Sequence, residues 1–174
     1  MPFFDFREKQ YIEDMGIKVL FFSSAVVTFL LVGGIMYKDY EAGLDISEYL
    51  WALGIILTVE TGVYFLIFRM GATLEAGDEG IRISYPPFLL KPKVFGWNDL
   101  VHWSIREVKA MKEFGGWGYK FSYRGRKTGL ILGSGPGLEI KLQTGKTWVI
   151  TVKNDAMLRN VLLKYAPHKE ESAS

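Results

Sequence analysis

The chain of 174 residues has no cysteine and only two histidines. Without cysteine there is neither a disulfide framework nor a thiolate metal site. His102 and His168 stand far apart and lack a neighbouring carboxylate motif, so both read as ordinary surface or strand residues. No serine stands in a nucleophile-elbow context, no histidine is placed to act as a base, and no carboxylate pair has a shared pocket. No catalytic residue, metal ligand or cofactor is therefore expected. The glycine runs at 115–118 and 133–137 lack the Lys-Ser/Thr ending and the strand-to-helix setting of a phosphate loop, and read as β-turns. Residues 1–16 lack the positive n-region and small-residue cleavage site of a secretory signal, so the apolar run that follows is expected to be retained.

Charge is scarce in two stretches. Residues 19–36, VLFFSSAVVTFLLVGGIM, carry none, and residues 50–68, LWALGIILTVETGVYFLIF, carry only Glu60. As a helix each run is about 28 Å long, close to the ~30 Å hydrocarbon core of a bilayer. Residues 17–69 thus predict a transmembrane helical hairpin. Residues 1–16 alternate aromatics with charges and predict a short interfacial helix or a frayed terminus. The loop at 37–49 holds one Lys and four acids, whereas Arg7, Lys9, Lys18, Arg69 and Arg82 flank the hairpin. By the positive-inside rule both termini face the cytoplasm, and Tyr37, Tyr40, Tyr49 and Trp51 form the outer aromatic belt.

In an antiparallel register Gly33 lies opposite Gly54 and Ala25 opposite Gly62, so small residues meet at two levels. Gly54, Thr58, Thr61 and Gly62 share one face of the second helix, and Glu60 projects away from it beside Leu53, Leu57 and Tyr64. A carboxylate at mid-bilayer costs about 2.5–3.5 kcal/mol on insertion scales and normally faces protein or water. Either the small face meets the first helix and Glu60 needs a second protein surface, or Glu60 meets the first helix near Thr28 and the small face is left for a partner. Both arrangements point to an integral membrane partner or to self-association. A simpler alternative is a monomeric hairpin in which Glu60 bonds locally to a Thr hydroxyl or a carbonyl.

Residues 1–69 have a net charge of −4, from five Lys/Arg and nine Asp/Glu, and the remainder a net +6. A basic domain beside a membrane suits an anionic leaflet. Nucleic acid is not expected as a partner, because the cations are spread along strands with no recognition helix. From residue 71 the pattern is short strands at 8–12 residue spacing with Gly-rich turns, which predicts an antiparallel barrel or sandwich of about seven strands. The prolines at 86, 87 and 92 mark PPFLLKPK as a loop or an edge segment, and its Phe88, Leu89 and Leu90 as core or interface. A helix is predicted from an Asn154/Asp155 cap to Tyr165, with Met157, Leu158, Val161, Leu162 and Tyr165 on one face. Residues 167–174 predict a disordered tail.

Gly80-Ile81, Trp97-Asn98-Asp99-Leu100, Gly115-Gly116-Trp117-Gly118, and the segment from Gly137-Leu138-Glu139-Ile140-Lys141-Leu142 to Gly145-Lys146, followed by one helix, resemble the bacterial PH-domain family of small membrane proteins. The resemblance covers about residues 70–166. It implies an α+β membrane protein with a cytoplasmic PH-like domain in the bacterial inner membrane, the last helix plugging one end of the barrel, and a binding or scaffold role without catalysis. Lipid-binding PH domains carry cations in the first strand turn; here that turn is Gly77-Asp78-Glu79-Gly80, so membrane contact is expected to be diffuse, through Lys91, Lys93, Arg124, Arg126 and Lys127. The plainer alternative is that these are solubilising charges. Two further readings stay open: an accessory subunit of a bioenergetic or transport complex, and a homo-oligomeric ion or proton path centred on Glu60.

Overall fold

A computed structural model of the chain describes residues 3–69, 71–122 and 127–170. The fold is α+β and divides into two compact units, residues 13–69 and the two segments that flank them.

The inner unit is a pair of helices. Helix α1 (Met15–Glu41) starts where the Asp14 carboxylate accepts the Ile17 N–H at 3.2 Å, satisfying one of the free amides of the first turn. It stops at Gly43, whose φ of 74° turns the chain. Helix α2 (Ser47–Tyr64) begins beside Asp45, whose carboxylate accepts both the backbone and hydroxyl hydrogens of Ser47, and it continues as one π-helical turn, Phe65–Arg69. Asp39 accepts a hydrogen bond from the Tyr49 hydroxyl near the loop, and rings from both helices meet at the opposite end, so the two run antiparallel. Both are long and apolar enough to cross a membrane, and no residue in the apolar 18-residue window of either is buried within the chain, although Phe68 near the end of the second is. A core helix of this composition would be covered; here Leu30, Leu31, Trp51 and Ile55 all stand exposed.

The flanking segments build two sheets. The first is antiparallel, in the order β1 (Phe4–Gln10), β2 (Ala72–Gly77), β3 (Gly80–Tyr85), β4 (Leu89–Phe95). The second contains β5 (Leu100–Val108), β6 (Gly118–Ser122), β7 (Lys127–Ile131), β8 (Gly135–Leu142) and β9 (Thr147–Thr151), in the order β5-β8-β9-β7-β6. A short helix, α3 (Ala110–Phe114), links β5 to β6, and α4 (Asp155–Tyr165) packs against β1, β2 and β8. Alternate residues of both sheets, among them Leu74, Ile81, Ile83, Leu100, Leu138 and Ile140, are buried with Leu158 and Leu162 of α4. The Asn154 side chain accepts the Met157 N–H at 3.1 Å, so α4 has the expected cap and bounds, although Met157 itself is about half exposed.

The sheet unit departs in three ways from the expectation of an interfacial or frayed N-terminus followed by an antiparallel barrel or sandwich of about seven strands. Among the described residues there are nine strands in two sheets and no closed barrel. The second sheet is mixed, because the β6–β7 hairpin docks on the far side of β9 and sets β7 parallel to it. Residues 4–10 form a strand and not an interfacial helix. Its alternation was obscured because the row that includes the buried Phe6 also carries Glu8 and Gln10. Those polar groups are satisfied across the fold: Gln10 Nε2 donates to the Thr151 carbonyl at 2.7 Å, and the Glu8 carboxylate accepts the backbone amides of Lys153 and Asn154. PPFLLKPK leads into β4, an edge strand, where the missing N–H of Pro92 is tolerated.

Candidate functional site

The two helices flank an open groove of about 380 Å³. Its wall on α2 is Leu57, Glu60, Thr61 and Tyr64, spaced i, i+3, i+4 and i+7 on one helical face. Its wall on α1 is Phe21, Phe22 and Ala25. At one end the rings of Phe21, Tyr64 and Phe68 pack together, with centroids 5.4 Å apart for Tyr64–Phe68 and 5.6 Å for Phe21–Phe68. These bulky rings lie beside the small Ala25 and Thr61, and space remains between the helices.

Glu60 is half-buried at this groove, together with Leu57 and Tyr64, the neighbours its helical phase gives it. Among the described residues it has no hydrogen bond and no ion pair. Two of the hydroxyls that sequence spacing offers it are engaged elsewhere: Thr28 Oγ1 donates to the Ser24 carbonyl at 2.9 Å and Thr58 Oγ1 to the Gly54 carbonyl at 2.8 Å. Thr61 shares the groove, whereas the wall on α1 lies at 21–25, nearly a turn before Thr28. A carboxylate among apolar side chains without a partner is costly wherever water is excluded, and in such a setting the position favours a polar or cationic neighbour.

The expected small-residue seam is not where the helices touch. A Cβ built on Gly33, Gly54 or Gly62 meets nothing within 4 Å, so these glycines lie on open helix surface, and only Ala25 of that set lines the interhelical space. The aromatic side chains decide the contact, because Phe21, Phe22, Tyr64 and Phe68 fill the approach between the helices. Their signal in the sequence is the Tyr64/Phe68 spacing of four.

No family model, curated protein or solved structure matches this chain. Its chemistry is therefore argued from its own residues.

The surface cations fall into distinct settings. Lys91 and Lys93 are exposed on β4. Lys127 is tied at 3.4 Å to Glu139, which also accepts from Arg106 at 2.6 Å, and Arg106 holds Glu113 at 2.8 Å. Burial is the largest single influence and opposes the charge on both Arg106 and Glu113, but the hydrogen bond between them, those to Glu139 and from the Lys109 amide, and the neighbouring opposite charges together outweigh it; the guanidinium lies above its ordinary pKa and the Glu113 carboxyl below its own. Lys127 thus belongs to an ion-pair network. Arg124 and Arg126 lie outside the described residues.

The remaining conspicuous groups are structural. The Asp78 carboxylate of the acidic turn accepts the backbone amides of Phe3 and Glu79. Trp97 stacks on Tyr165 at 5.6 Å and donates to the Gly77 carbonyl at 3.0 Å, and buried Trp103 donates to the Ala166 carbonyl at 2.8 Å. Hydrogen bonds from Lys164 and the Tyr165 hydroxyl hold the Asp5 carboxyl below the usual range, which fastens β1 to α4.

Proposed function

We propose that this chain is a membrane-anchored, non-enzymatic binding and scaffold protein. Its helix pair spans a bilayer and associates with another integral membrane protein, and its sheet unit is a PH-like domain on the cytoplasmic side of a bacterial inner membrane. The observation that carries the reading is the unpartnered Glu60 carboxylate at an apolar groove between two uncovered apolar helices. A partner helix bearing a Lys, an Arg or a hydroxyl reaches this groove and relieves the cost of the carboxylate, while the open faces at Gly33, Gly54 and Gly62 offer close backbone approach.

The chain's connectivity supports an even number of crossings. Gln10 and Ala72 are cross-strand partners, and a Cβ on Gly71 would stand 2.6 Å from the Gln10 carbonyl, so the segment that leaves the sheet unit after β1 returns beside its point of departure. Two apolar helices lie between those points, and both helix ends attached to the sheets emerge on one face of the bilayer. The excess of Lys and Arg at those ends favours the cytoplasmic face.

The test is purification of the tagged full chain from native membranes in a mild detergent, with intact-complex mass and identification of bound proteins. The native chain carries a stoichiometric membrane partner, and Glu60→Leu loses it. The same substitution raises insertion of α2 by roughly 3 kcal/mol, because the mid-span carboxylate is gone. A lone species at a multiple of 19.8 kDa would reject the hetero-partner and turn attention to self-association.

A further inference from the structure

Strand β4 differs from the other strands of its sheet. The cross-strand pairs Arg7↔Glu75, Lys9↔Thr73, Glu75↔Arg82 and Thr73↔Ser84 give β1, β2 and β3 a polar outer face. Continued onto β4 through Arg82↔Val94, the same face becomes apolar: Leu90 is 90% exposed, Val94 51%, and Phe88 in the preceding turn 46%. Lys91 and Lys93 alternate with this row and are exposed as well, between the buried Leu89 and Phe95. Pro92 and inward-facing lysines are ordinary protection for an edge strand. An exposed Phe and Leu are the reverse of protection, so edge defence leaves them unexplained.

The register says where this tip lies. Gln10 pairs with Ala72, Thr73 with Ser84, and Tyr85 with Leu89. The β3–β4 turn is therefore at the same end of the sheet as Gln10 and Ala72, the end at which the chain passes to and from the helices. Val94 is four residues, roughly 13 Å, farther along the strand from Leu90. We propose that this turn is a membrane-contacting tip, with Phe88 and Leu90 entering the interfacial layer of the bilayer and Lys91, Lys93 and Lys9 meeting anionic headgroups. Tyr85, stacked on Phe88 at 4.9 Å and itself buried, anchors the tip to the core. An aromatic and an aliphatic side chain flanked by lysines is the chemistry that partitions into an anionic interface. The lipid source is thus the same membrane the helices cross, and this inference rests on that reading.

The absence of cysteine makes the test direct. Leu90→Cys, Leu30→Cys in α1 and Met111→Cys in α3 are each introduced into the full chain, labelled with a small fluorophore, and reconstituted in nanodiscs of phosphatidylcholine and phosphatidylglycerol. Lipids carrying a nitroxide at a shallow or a deep acyl position serve as quenchers, and iodide as the aqueous one. Leu90 is almost wholly exposed, so its replacement removes little packing. The expected result is shallow-nitroxide quenching at position 90 several-fold above that at position 111, with position 30 quenched by the deep nitroxide. Position 90 quenched by iodide and no more by lipid than position 111, with position 30 still quenched, would overturn the tip and leave the helices in the bilayer. Position 90 shielded from both quenchers would also overturn it, in favour of a second copy or a protein partner. Loss of lipid quenching at position 30 would remove the spanning reading and this inference with it.

Discussion

Separating the sheet unit from the N-terminal strand is expected to cripple it. A domain cut at residue 71 looks natural on the linear chain, since the helices end at Arg69, but it discards β1. Phe6 is 2% exposed and Ile12 8%, and full burial of such side chains stabilises by about 1.5–3 kcal/mol each, so their loss removes about 3–6 kcal/mol. Charge-assisted hydrogen bonds such as those from the Lys153 and Asn154 amides to Glu8 contribute about 1.5–3 kcal/mol more. Against a typical domain stability of about 5–15 kcal/mol, truncation takes a third to most of the total. It also strips β2 of its neighbour and creates a new unprotected sheet edge. The assay compares residues 71–170 with a chain in which residues 3–12 are joined to 71–170 by a short Gly/Ser linker, which the Gln10↔Ala72 pairing makes feasible. Urea unfolding is followed by the fluorescence of Trp97, Trp103, Trp117 and Trp148, all of which lie in this unit. The linked chain unfolds cooperatively; the truncated one has a lower midpoint and a shallower slope, because less surface is buried. Equal midpoints and slopes would refute the structural role assigned to β1.

Two further perturbations test the fold. At Gly80 φ is +130° and a Cβ would stand 2.1 Å from the Phe95 carbonyl, so Gly80→Ala costs more than the ~1–3 kcal/mol of backbone strain alone, whereas Gly43→Ala, with open space around it, is limited to that strain; thermal unfolding of the full chain in detergent separates them. Asp5 and Glu113 both have pKa values depressed by folding, so the stability they confer is present above their unfolded values and is lost as pH falls through the folded ones; Asp5→Asn should weaken the acid dependence of urea midpoints below pH ~4. An unchanged acid limb in that variant would show that the Lys164 and Tyr165 hydrogen bonds do not form in solution.

Local pattern was enough wherever one element carries its own signal. The long uncharged runs, the position of Glu60 beside Leu57 and Tyr64, the β2–β3 hairpin, the edge character of β4, and α4 with its Asn154 cap all follow from spacing, proline and capping chemistry, which act within a few residues. What depends on partners distant in the chain was decided by tertiary structure. β1 is a strand because β2 lies beside it, 62 residues on at the Gln10↔Ala72 pair, and because Thr151, Lys153 and Asn154 satisfy the polar side chains of Gln10 and Glu8 that no alternation rule would place inward. The helix contact was set by the volume of Phe21, Phe22, Tyr64 and Phe68, which leaves the glycines outside the interhelical contact, and composition cannot rank ring packing against small-residue approach. Periodicity in the sequence by itself determined the two long helices, the β2–β3 hairpin and α4; the strand at residues 4–10, the ordering of the nine strands of the described residues into two sheets and the groove at Glu60 needed the three-dimensional fold, because all three are relations between residues that only folding brings together.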